Sequence, residues 1–340
     1  VYTQKSFRKC TIAGGVRLDL RSVRSEALYL DSLGQAVSEP DAYSELKFSP
    51  ISRSYEGFSG SLGVSYAMNT SSTFKLNLSR GFRAPNIAEL ASNGRHEGTF
   101  RYELGNPHLK SEMSHQIDLA YFLNTEHITF ECTPFVNFIT QYIFVEKLKS
   151  VTGNDSIPDP SDPAPAFQYR SGTATLLGGE LYFDIHPHPL DWLHIENSFS
   201  FVQATQKKQP DSSRYLPFIP APRYRGEMKA VLKQAGNALS NAYIKFGIDY
   251  VFAQNNYYAA YGTETASSSY TLLSAGIGTS VRCFNRKDFL GIYIQGDNLA
   301  NTAYQNHLSR LKYAPENIAT GRKGIYNMGR NISVKMIVSL

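Results

Sequence analysis

Histidine and carboxylate side chains are the groups in this sequence whose types and spacing could support chemistry. His96 and Glu97 are adjacent, and His307 lies in a second long polar segment far along the chain. A neutral imidazole together with a carboxylate suits zinc, and imidazole alone can serve as an axial ligand to haem iron. These three residues are therefore candidate metal ligands; packing of both histidines against loop backbone is the alternative.

Tyrosines accompany these candidate ligands in the same two polar segments. Tyr102, Tyr304 and Tyr313 could add aromatic surface against a porphyrin. No resident cofactor is predicted. The predicted ligand site consists of His96, Glu97, Tyr102, Tyr304, His307 and Tyr313, with His96, Glu97 and His307 as its metal ligands.

A second pair of histidines lies within the short proline-containing segment at 186–190. His186 and His188 form an H-x-H pair there, and such a pair can bind a metal adventitiously. Pro187 and Pro189 make a tight turn the preferred explanation.

The sequence contains no recognisable catalytic arrangement. G-x-S-x-G, HExxH and P-loop motifs are all missing from it. Asp184 with His186, and Ser198 with His194, are pairs that a chain of this length contains by coincidence. We therefore predict that the protein is not an enzyme.

Composition favours β structure. Tyr (22 residues) and Phe (20 residues) dominate the aromatic fraction, and both favour strands. The net charge of +5 is spread along the chain without a basic block, so nucleic-acid binding is not indicated. No run of about 18 apolar residues occurs, which excludes transmembrane helices but leaves transmembrane strands possible. Cys10, Cys132 and Cys283 are far apart and odd in number, so neither a zinc knuckle nor a disulfide framework is indicated.

Apolar and polar residues alternate with a period of two in many segments, for example at 73–80, 116–123 and 244–250. Because successive side chains of a strand point to opposite faces, each segment has one apolar and one polar face. The pattern predicts twelve strands, at about 12–24, 56–68, 72–81, 114–123, 127–147, 168–186, 191–207, 222–233, 241–254, 269–283, 289–298 and 329–340.

The connections between these strands alternate between short and long. The long ones are polar and cover about 25–55, 82–113, 148–167, 208–221, 255–268 and 299–328. A meander with tight turns at one end and long loops at the other is typical of an outer-membrane β-barrel, whose long loops are extracellular. The predicted fold is therefore all-β, an antiparallel up-and-down transmembrane β-barrel. A soluble β-sandwich has shorter strands, of about 5–6 residues. A propeller repeats every ~40–50 residues, so neither alternative matches.

Four short motifs lie at strand–loop junctions. Residues 81–90 read GFRAPNIAEL, residues 105–114 read GNPHLKSEMS, residues 298–304 read NLANTAY, and residues 329–331 read GRN. In type and order these motifs resemble those of TonB-dependent outer-membrane receptors. The residues that carry the resemblance are expected to be structural: Gly81, Arg83, Pro85, Glu89, Gly105, Asn106, Asn298, Asn301, Gly329 and Arg330.

The motif residues suggest local contacts. Arg83 and Glu112 lie near the ends of successive strands, so they could form an ion pair at the base of a loop or remain two solvated charges. Pro85 has no N–H to donate, which suits the end of a strand. Asn298 and Asn301 suit a strand-to-loop turn, because Asn tolerates positive φ.

The resemblance implies a fold and a function. Receptors of this family have about 22 strands around a plug, so residues 1–340 are expected to be the C-terminal portion of the barrel, without the plug and the first strands. The implied function is active import of a scarce nutrient, such as a metal, haem or another metal chelate. The implied location is the outer membrane of a Gram-negative bacterium. The implied partners are the bilayer, the nutrient and a TonB-type energy-transducing complex that acts through the plug, and not nucleic acid.

Two further segments narrow the resemblance. Residues 96–106 and 306–312 resemble a branch of the family that contains zinc- and haem-uptake receptors. Two other functional classes stay open. A barrel enzyme of the lipase or protease type would need a Ser/His/Asp set at one rim, and a passive porin or adhesin has no support from the motifs.

Overall fold

The structure is a computed structural model that describes residues 1–96, 98–235, 238–283 and 286–338. Glu97, one of the predicted site residues, lies outside the described residues. The described part of the chain forms a 15-stranded sheet, in which thirteen strands lie side by side in chain order. These are β1 (Tyr2–Phe7), β2 (Cys10–Ser25), β3 (Ile51–Ala67), β4 (Ser72–Arg83), β5 (Glu112–Asn124), β6 (Ile128–Lys147), β7 (Ala166–Ile185), β8 (Leu193–Gln206), β9 (Arg223–Ala235), β10 (Leu239–Val251), β11 (Tyr270–Cys283), β12 (Arg286–Asp297) and β13 (Asn331–Val338).

Each of these strands pairs antiparallel with the next one in the chain, so the predicted up-and-down barrel fold is confirmed. All twelve predicted strands are present, with ends shifted by a few residues. The prediction missed β1, because its six residues, YTQKSF, are mostly polar. Within the described residues β1 pairs only with β2, and β13 only with β12, so the sheet is a partial barrel with two open edges.

Strand register brings the apolar faces of neighbouring strands into one continuous band. Leu62 lies opposite Leu78, Leu78 opposite Ile117, Ile117 opposite Val136, and Val136 opposite Leu177. Most of these side chains are about 40–50% exposed, although they are aliphatic. A similar row crosses the C-terminal strands through Ile244, Ile277, Ile294 and Val334. Such a band of exposed aliphatic side chains suits the hydrocarbon core of a bilayer.

The opposite face of the sheet carries a polar network. Asp118 accepts hydrogen bonds from Asn77 Nδ2 at 3.0 Å and from Gln116 Nε2 at 2.5 Å. Farther along, Lys245 Nζ lies 3.0 Å from Glu227 Oε2, and Arg223 and Arg225 both reach Asp249. Several charged side chains on this face therefore pair with each other across neighbouring strands.

The long connections contain small secondary-structure elements. The connection between β4 and β5 holds the helix α1 (Ile87–Ala91) and a hairpin of Asn93–His96 with Arg101–Leu104, whose second strand pairs with the start of β7. No helix in the described residues is long and apolar enough to cross a membrane. Other short elements are the strands Leu28–Leu30, Ala36–Val37, Glu45–Phe48, Glu316–Asn317 and Arg322–Lys323, and the 3₁₀ helices Asp211–Ser213, Ala260–Gly262 and Arg310–Tyr313.

Lysine placed on either face of β4 tests which face meets lipid. Leu78→Lys puts a charge on the apolar band, and we expect it to destabilise the barrel by about 2–4 kcal/mol, the cost of lysine near the bilayer centre. Asn77→Lys is the matched control, because it stays on the polar face and can pair with Asp118. The measurement is urea unfolding of the full-length protein in lipid vesicles. Equal destabilisation by both variants would contradict the assignment of faces.

Candidate functional site

Arg83, at the end of β4, lies between two carboxylates. Its Nη1 is 2.9 Å from Glu89 Oε1, and its Nη2 is 3.2 Å from Glu112 Oε2. Both glutamate side chains are mostly buried, whereas that of Arg83 is 42% exposed. Glu112 also accepts a hydrogen bond from the backbone N–H of Ile143 on β6. The predicted ion pair of Arg83 and Glu112 is confirmed, and Glu89 is a third member that the sequence analysis missed.

Glu89 joins this ion cluster to the helix α1. Asn86 caps the helix: its side chain accepts from the Glu89 N–H at 2.8 Å, and the Glu89 carboxylate accepts from the Asn86 N–H at 2.8 Å. This reciprocal capping box satisfies two N–H groups at the helix start. Pro85 and Leu90 are almost completely buried on either side of the cap. One carboxylate thus ties the strand end, the helix and the rim together.

The second motif packs directly against this helix. A Cβ on Gly105 would lie 2.4 Å from the backbone nitrogen of Ala91, so only glycine fits at this close approach. The next residue, Asn106, donates its N–H to Glu89 O at 2.8 Å and its side-chain amide to Tyr169 O at 3.1 Å. The first two motifs therefore build one structural unit at the long-loop end of the barrel.

The two C-terminal motifs also join each other. Asn298 and Asn301 have φ of 48° and 52°, the left-handed conformation that the sequence suggested for them. Asn301 Oδ1 accepts from the N–H of Arg330, whose Nε donates to the carbonyl of Leu299. A Cβ on Gly329 would lie 2.6 Å from Asn301 Oδ1. These contacts join the end of β12 to the start of β13 beneath the last long loop.

Of the predicted ligand residues, two lie in the loop hairpin that follows α1. His96 is exposed, and its Nδ1 lies 3.3 Å from the hydroxyl of Thr99. Tyr102 is buried, donates to Asn93 Oδ1 at 2.8 Å and lies beneath the ammonium group of Lys47. The ring of Tyr102 is therefore packed within the loops.

His307 lies inside the last long loop with only 4% of its surface exposed. Its Nδ1 is 3.0 Å from Ser267 Oγ, and its Nε2 is 3.6 Å from Glu264 Oε1, beyond hydrogen-bonding reach. Burial, together with the charge of Lys312, lowers the pKa of His307, and the carboxylate of Glu264 opposes this shift only in part. The imidazole is therefore neutral at pH 7.

The two remaining tyrosines line a common cavity beside His307. Tyr304 and Tyr313 face a space of about 440 Å³ that also contains Lys312 and Lys323. The ring of Tyr304 packs on Tyr270 with centroids 4.5 Å apart. The structure thus groups Tyr304, Tyr313 and His307 in one region, while His96 and Tyr102 have separate neighbours.

A second cavity, of about 300 Å³, is lined by residues from several long loops. Arg101 comes from the loop after β4 and Arg310 from the loop after β12, so the two loops that carry the predicted ligand residues do meet here. Tyr258 and Tyr261 add aromatic rings 6.2 Å apart, and Phe218 lies under the Arg310 guanidinium at 5.0 Å. Burial raises the pKa of Tyr258 to about 12, so its hydroxyl stays protonated.

The sequence analysis missed this aromatic and cationic cavity. Its signal is the tyrosine-rich segment NNYYAAYG at 255–262, which occurs in a long connection rather than in a strand. The two arginines are separated by about two hundred residues, so only the arrangement of the loops brings them together.

Comparison with known proteins identifies the family. The protein-family model of the TonB-dependent receptor-like β-barrel matches residues 5–299 of the sequence. The chain therefore belongs to the TonB-dependent receptor family. Among solved structures, it resembles the copper transporter OprC, with 18% identity and a TM-score of 0.68 over 97% of this chain and 47% of that one.

Two further solved receptors have the same fold. The FrpB iron transporter from Neisseria meningitidis is 13% identical, with a TM-score of 0.62 over 98% of this chain and 44% of that one. The ferric yersiniabactin uptake receptor FyuA from Yersinia pestis is 14% identical, with a TM-score of 0.61 over 97% of this chain and 43% of that one. The chain thus spans under half the length of these three structures.

Removing the central cation of the rim cluster tests its structural role. Arg83→Gln leaves two mostly buried carboxylates without their partner, and we expect a loss of about 1–3 kcal/mol, less than for a fully buried pair because Arg83 is part-exposed. Arg170→Gln is the matched control: it breaks the exposed pair with Glu146, at a cost of about 0–1 kcal/mol. The measurements are urea unfolding and hydrogen exchange of residues 84–111 in the full-length receptor.

A rescue variant sharpens this test. Arg83→Gln combined with Glu89→Gln and Glu112→Gln removes the unpaired charges and should recover part of the lost stability. Exchange protection of residues 84–111 that is the same in Arg83→Gln and Arg170→Gln would contradict the proposed role of the cluster.

Proposed function

We propose that this chain is the C-terminal portion of an outer-membrane receptor that imports a scarce nutrient into a Gram-negative bacterium. An N-terminal plug would occupy the lumen, and a TonB-type complex of the inner membrane would supply energy through that plug. Family membership supports this class of function. The observation that carries the proposal for this chain is the cavity at the long-loop end, which four loops form together.

The chemistry of that cavity favours an anionic, ring-containing metal chelate. Arg101 and Arg310 offer two guanidinium groups, which bind carboxylate or phenolate oxygens by charge-assisted hydrogen bonds. Tyr258, Tyr261 and Phe218 offer aromatic faces on which a planar ligand can stack. A bare metal ion would gain little from such a lining, whereas a ferric siderophore or haem meets both features.

The named functions of similar receptors agree with a metal-containing ligand. The three structures described above are called a copper transporter, an iron transporter and a ferric yersiniabactin uptake receptor. Because these structures have low sequence identity with this chain, their similarity supports its fold and does not identify its ligand. The choice of an anionic chelate therefore rests on the arginines and aromatic rings of this chain.

Transport is proposed in preference to catalysis or passive diffusion. The motifs of the chain build the rim and the strand ends, and the family that the chain belongs to is one of receptors rather than hydrolases. A porin or adhesin would have no need for the coupling to a plug that this family uses. The polar inner face of the strands is compatible with a plugged lumen.

A narrower proposal retains the predicted zinc or haem role of His96, Glu97 and His307, with Tyr102, Tyr304 and Tyr313 as aromatic neighbours. One observation favours His307 in particular: its Nε2 is buried, and it has no hydrogen-bond partner among the described residues. In the tautomer whose Nδ1–H donates to Ser267 Oγ, this Nε2 has a lone pair available for a metal. Zinc or haem iron would be cargo at this site.

Neutralising the two cavity arginines tests the proposed ligand class. In the full-length receptor, we expect Arg101→Gln with Arg310→Gln to weaken binding of ferric catecholate chelates or haem by about 10-fold or more, since each hydrogen bond to a charged group contributes about 1.5–3 kcal/mol. Arg322→Gln, on the same last loop but outside the cavity lining, is the control. The measurement is quenching of intrinsic fluorescence on titration. Unchanged affinity for all of these chelates would contradict the anionic-chelate proposal.

Removing the two loop histidines tests the narrower proposal. We expect His96→Ala combined with His307→Ala to lower the affinity of the full-length receptor for zinc or for haem, because imidazole ligands are lost. His108→Ala, which changes another residue of the same long connection, is the control. The measurements are calorimetric titration with zinc and the Soret absorbance change with haem. Equal affinities in the double variant and the wild type would remove this site while leaving the transport proposal intact.

A further inference from the structure

A cluster of metal-ligating side chains lies at the opposite end of the barrel, where β7 turns into β8. Asp184 is near the end of β7, and His186 is the first residue after that strand. His194 is near the start of β8. Asp184 and His194 belong to the polar face of the sheet, because their neighbours Ile185 and Leu193 alternate with them. This is a short-turn end, which faces the periplasm in outer-membrane barrels.

The two histidine side chains converge on the carboxylate of Asp184. Asp184 Oδ2 is 2.5 Å from His186 Nε2 and 3.5 Å from His194 Nδ1. The two imidazole rings lie edge to face with centroids 4.5 Å apart. One ligand atom from each residue falls within 4.8 Å of the others, and in the described part of the chain this is the one such group of histidine, cysteine and carboxylate side chains.

The second oxygen of Asp184 needs a separate explanation. The residue is only 7% exposed, and its Oδ1 is buried without a hydrogen-bond partner among the described residues. A buried carboxylate oxygen with an unused lone pair is unfavourable unless something positive can reach it. The two histidines occupy Oδ2 only, so their hydrogen bonds do not account for the burial of Oδ1.

We propose that Asp184, His186 and His194 bind a divalent transition-metal ion. Two imidazoles and one carboxylate suit Zn²⁺, Cu²⁺ or Ni²⁺, whereas Mg²⁺ and Ca²⁺ prefer oxygen ligands. Ligand atoms about 2.0–2.1 Å from a tetrahedral ion lie roughly 3.3 Å apart, close to the separation between His194 and Asp184. Binding would replace the short hydrogen bond to His186 by two metal bonds. Three protein ligands leave a fourth position for water or another donor.

The turn explanation of the H-x-H pair accounts for His188 but not for His186. The side chain of His188 is 69% exposed, and its Nδ1 is 3.8 Å from Asp191. His186 instead turns toward Asp184 and His194. A metal ion on these three residues would tie β7, the turn and β8 together. The proposed site does not depend on the identity of the nutrient, and it lies at the other end of the barrel from His96 and His307.

Metal titration of the full-length receptor tests this site. The protein is stripped with a chelator in detergent and titrated with Zn²⁺ by calorimetry, in a background carrying His96→Ala and His307→Ala. We expect one equivalent to bind, and we expect His186→Gln with His194→Gln to lower its affinity by about 100-fold or more, beyond the 10–100-fold typical of outer-shell changes. His188→Gln is the matched control on the same turn and should retain the site.

Copper spectroscopy provides a second readout that does not depend on affinity alone. Bound Cu²⁺ should show hyperfine coupling to two imidazole nitrogens in its electron paramagnetic resonance spectrum, and to one nitrogen in either single histidine variant. Asp184→Asn is included only if it shows the heat-modifiable mobility of a folded barrel; the histidine variants suffice otherwise. The proposal is overturned if the double histidine variant binds Zn²⁺ as the background protein does, or if His188→Gln abolishes binding equally.

Discussion

Antiparallel hydrogen bonding between neighbouring strands is the constraint on which the rest of the structure depends. Hydrocarbon offers no partner to a backbone N–H or C=O, so each of these groups in a spanning segment must be satisfied within the sheet. Pairing of successive strands along the chain meets this requirement between β1 and β13, whose outer edges are open within the described residues. A shift of one residue in any pair would turn its aliphatic side chains to the wet face and its charges to lipid.

The long loops are built on this frame by a few buried polar contacts. Arg83 links β4 to Glu89 in α1 and to Glu112 on β5, and the Glu112 carboxylate in turn reaches the backbone of β6. At the other side of the sheet, Asn298 and Asn301 join the strand ends beneath the last loop. These contacts hold the loop bases, and the loops above them bring Arg101 and Arg310 into the lining of one cavity although the two residues lie far apart in the chain.

The sequence predicts the strands well, because alternation with a period of two is a local property of the chain. The contact between Arg83 and Glu112 could also be predicted from the sequence, since both residues lie near the ends of predicted neighbouring strands. Contacts that depend on strand register or on loop paths could not be predicted in this way. The meeting of Asp184 with His194 follows from the pairing of β7 with β8. The ion pair of Glu89 with Arg83, and the presence of Arg101 and Arg310 in one cavity, depend on loop paths that the local sequence does not determine.

Energy-dependent uptake is the most direct test of the proposed receptor function. The full-length gene would be expressed in a Gram-negative host deprived of its own ferric-chelate receptors, and uptake of radiolabelled ferric chelates and haem would be followed with and without a functional TonB-type complex. We expect one of these ligands to accumulate in the periplasm only when the complex is functional and the proton gradient is intact. Accumulation that is equal in cells lacking the complex would contradict receptor transport and indicate a passive pore.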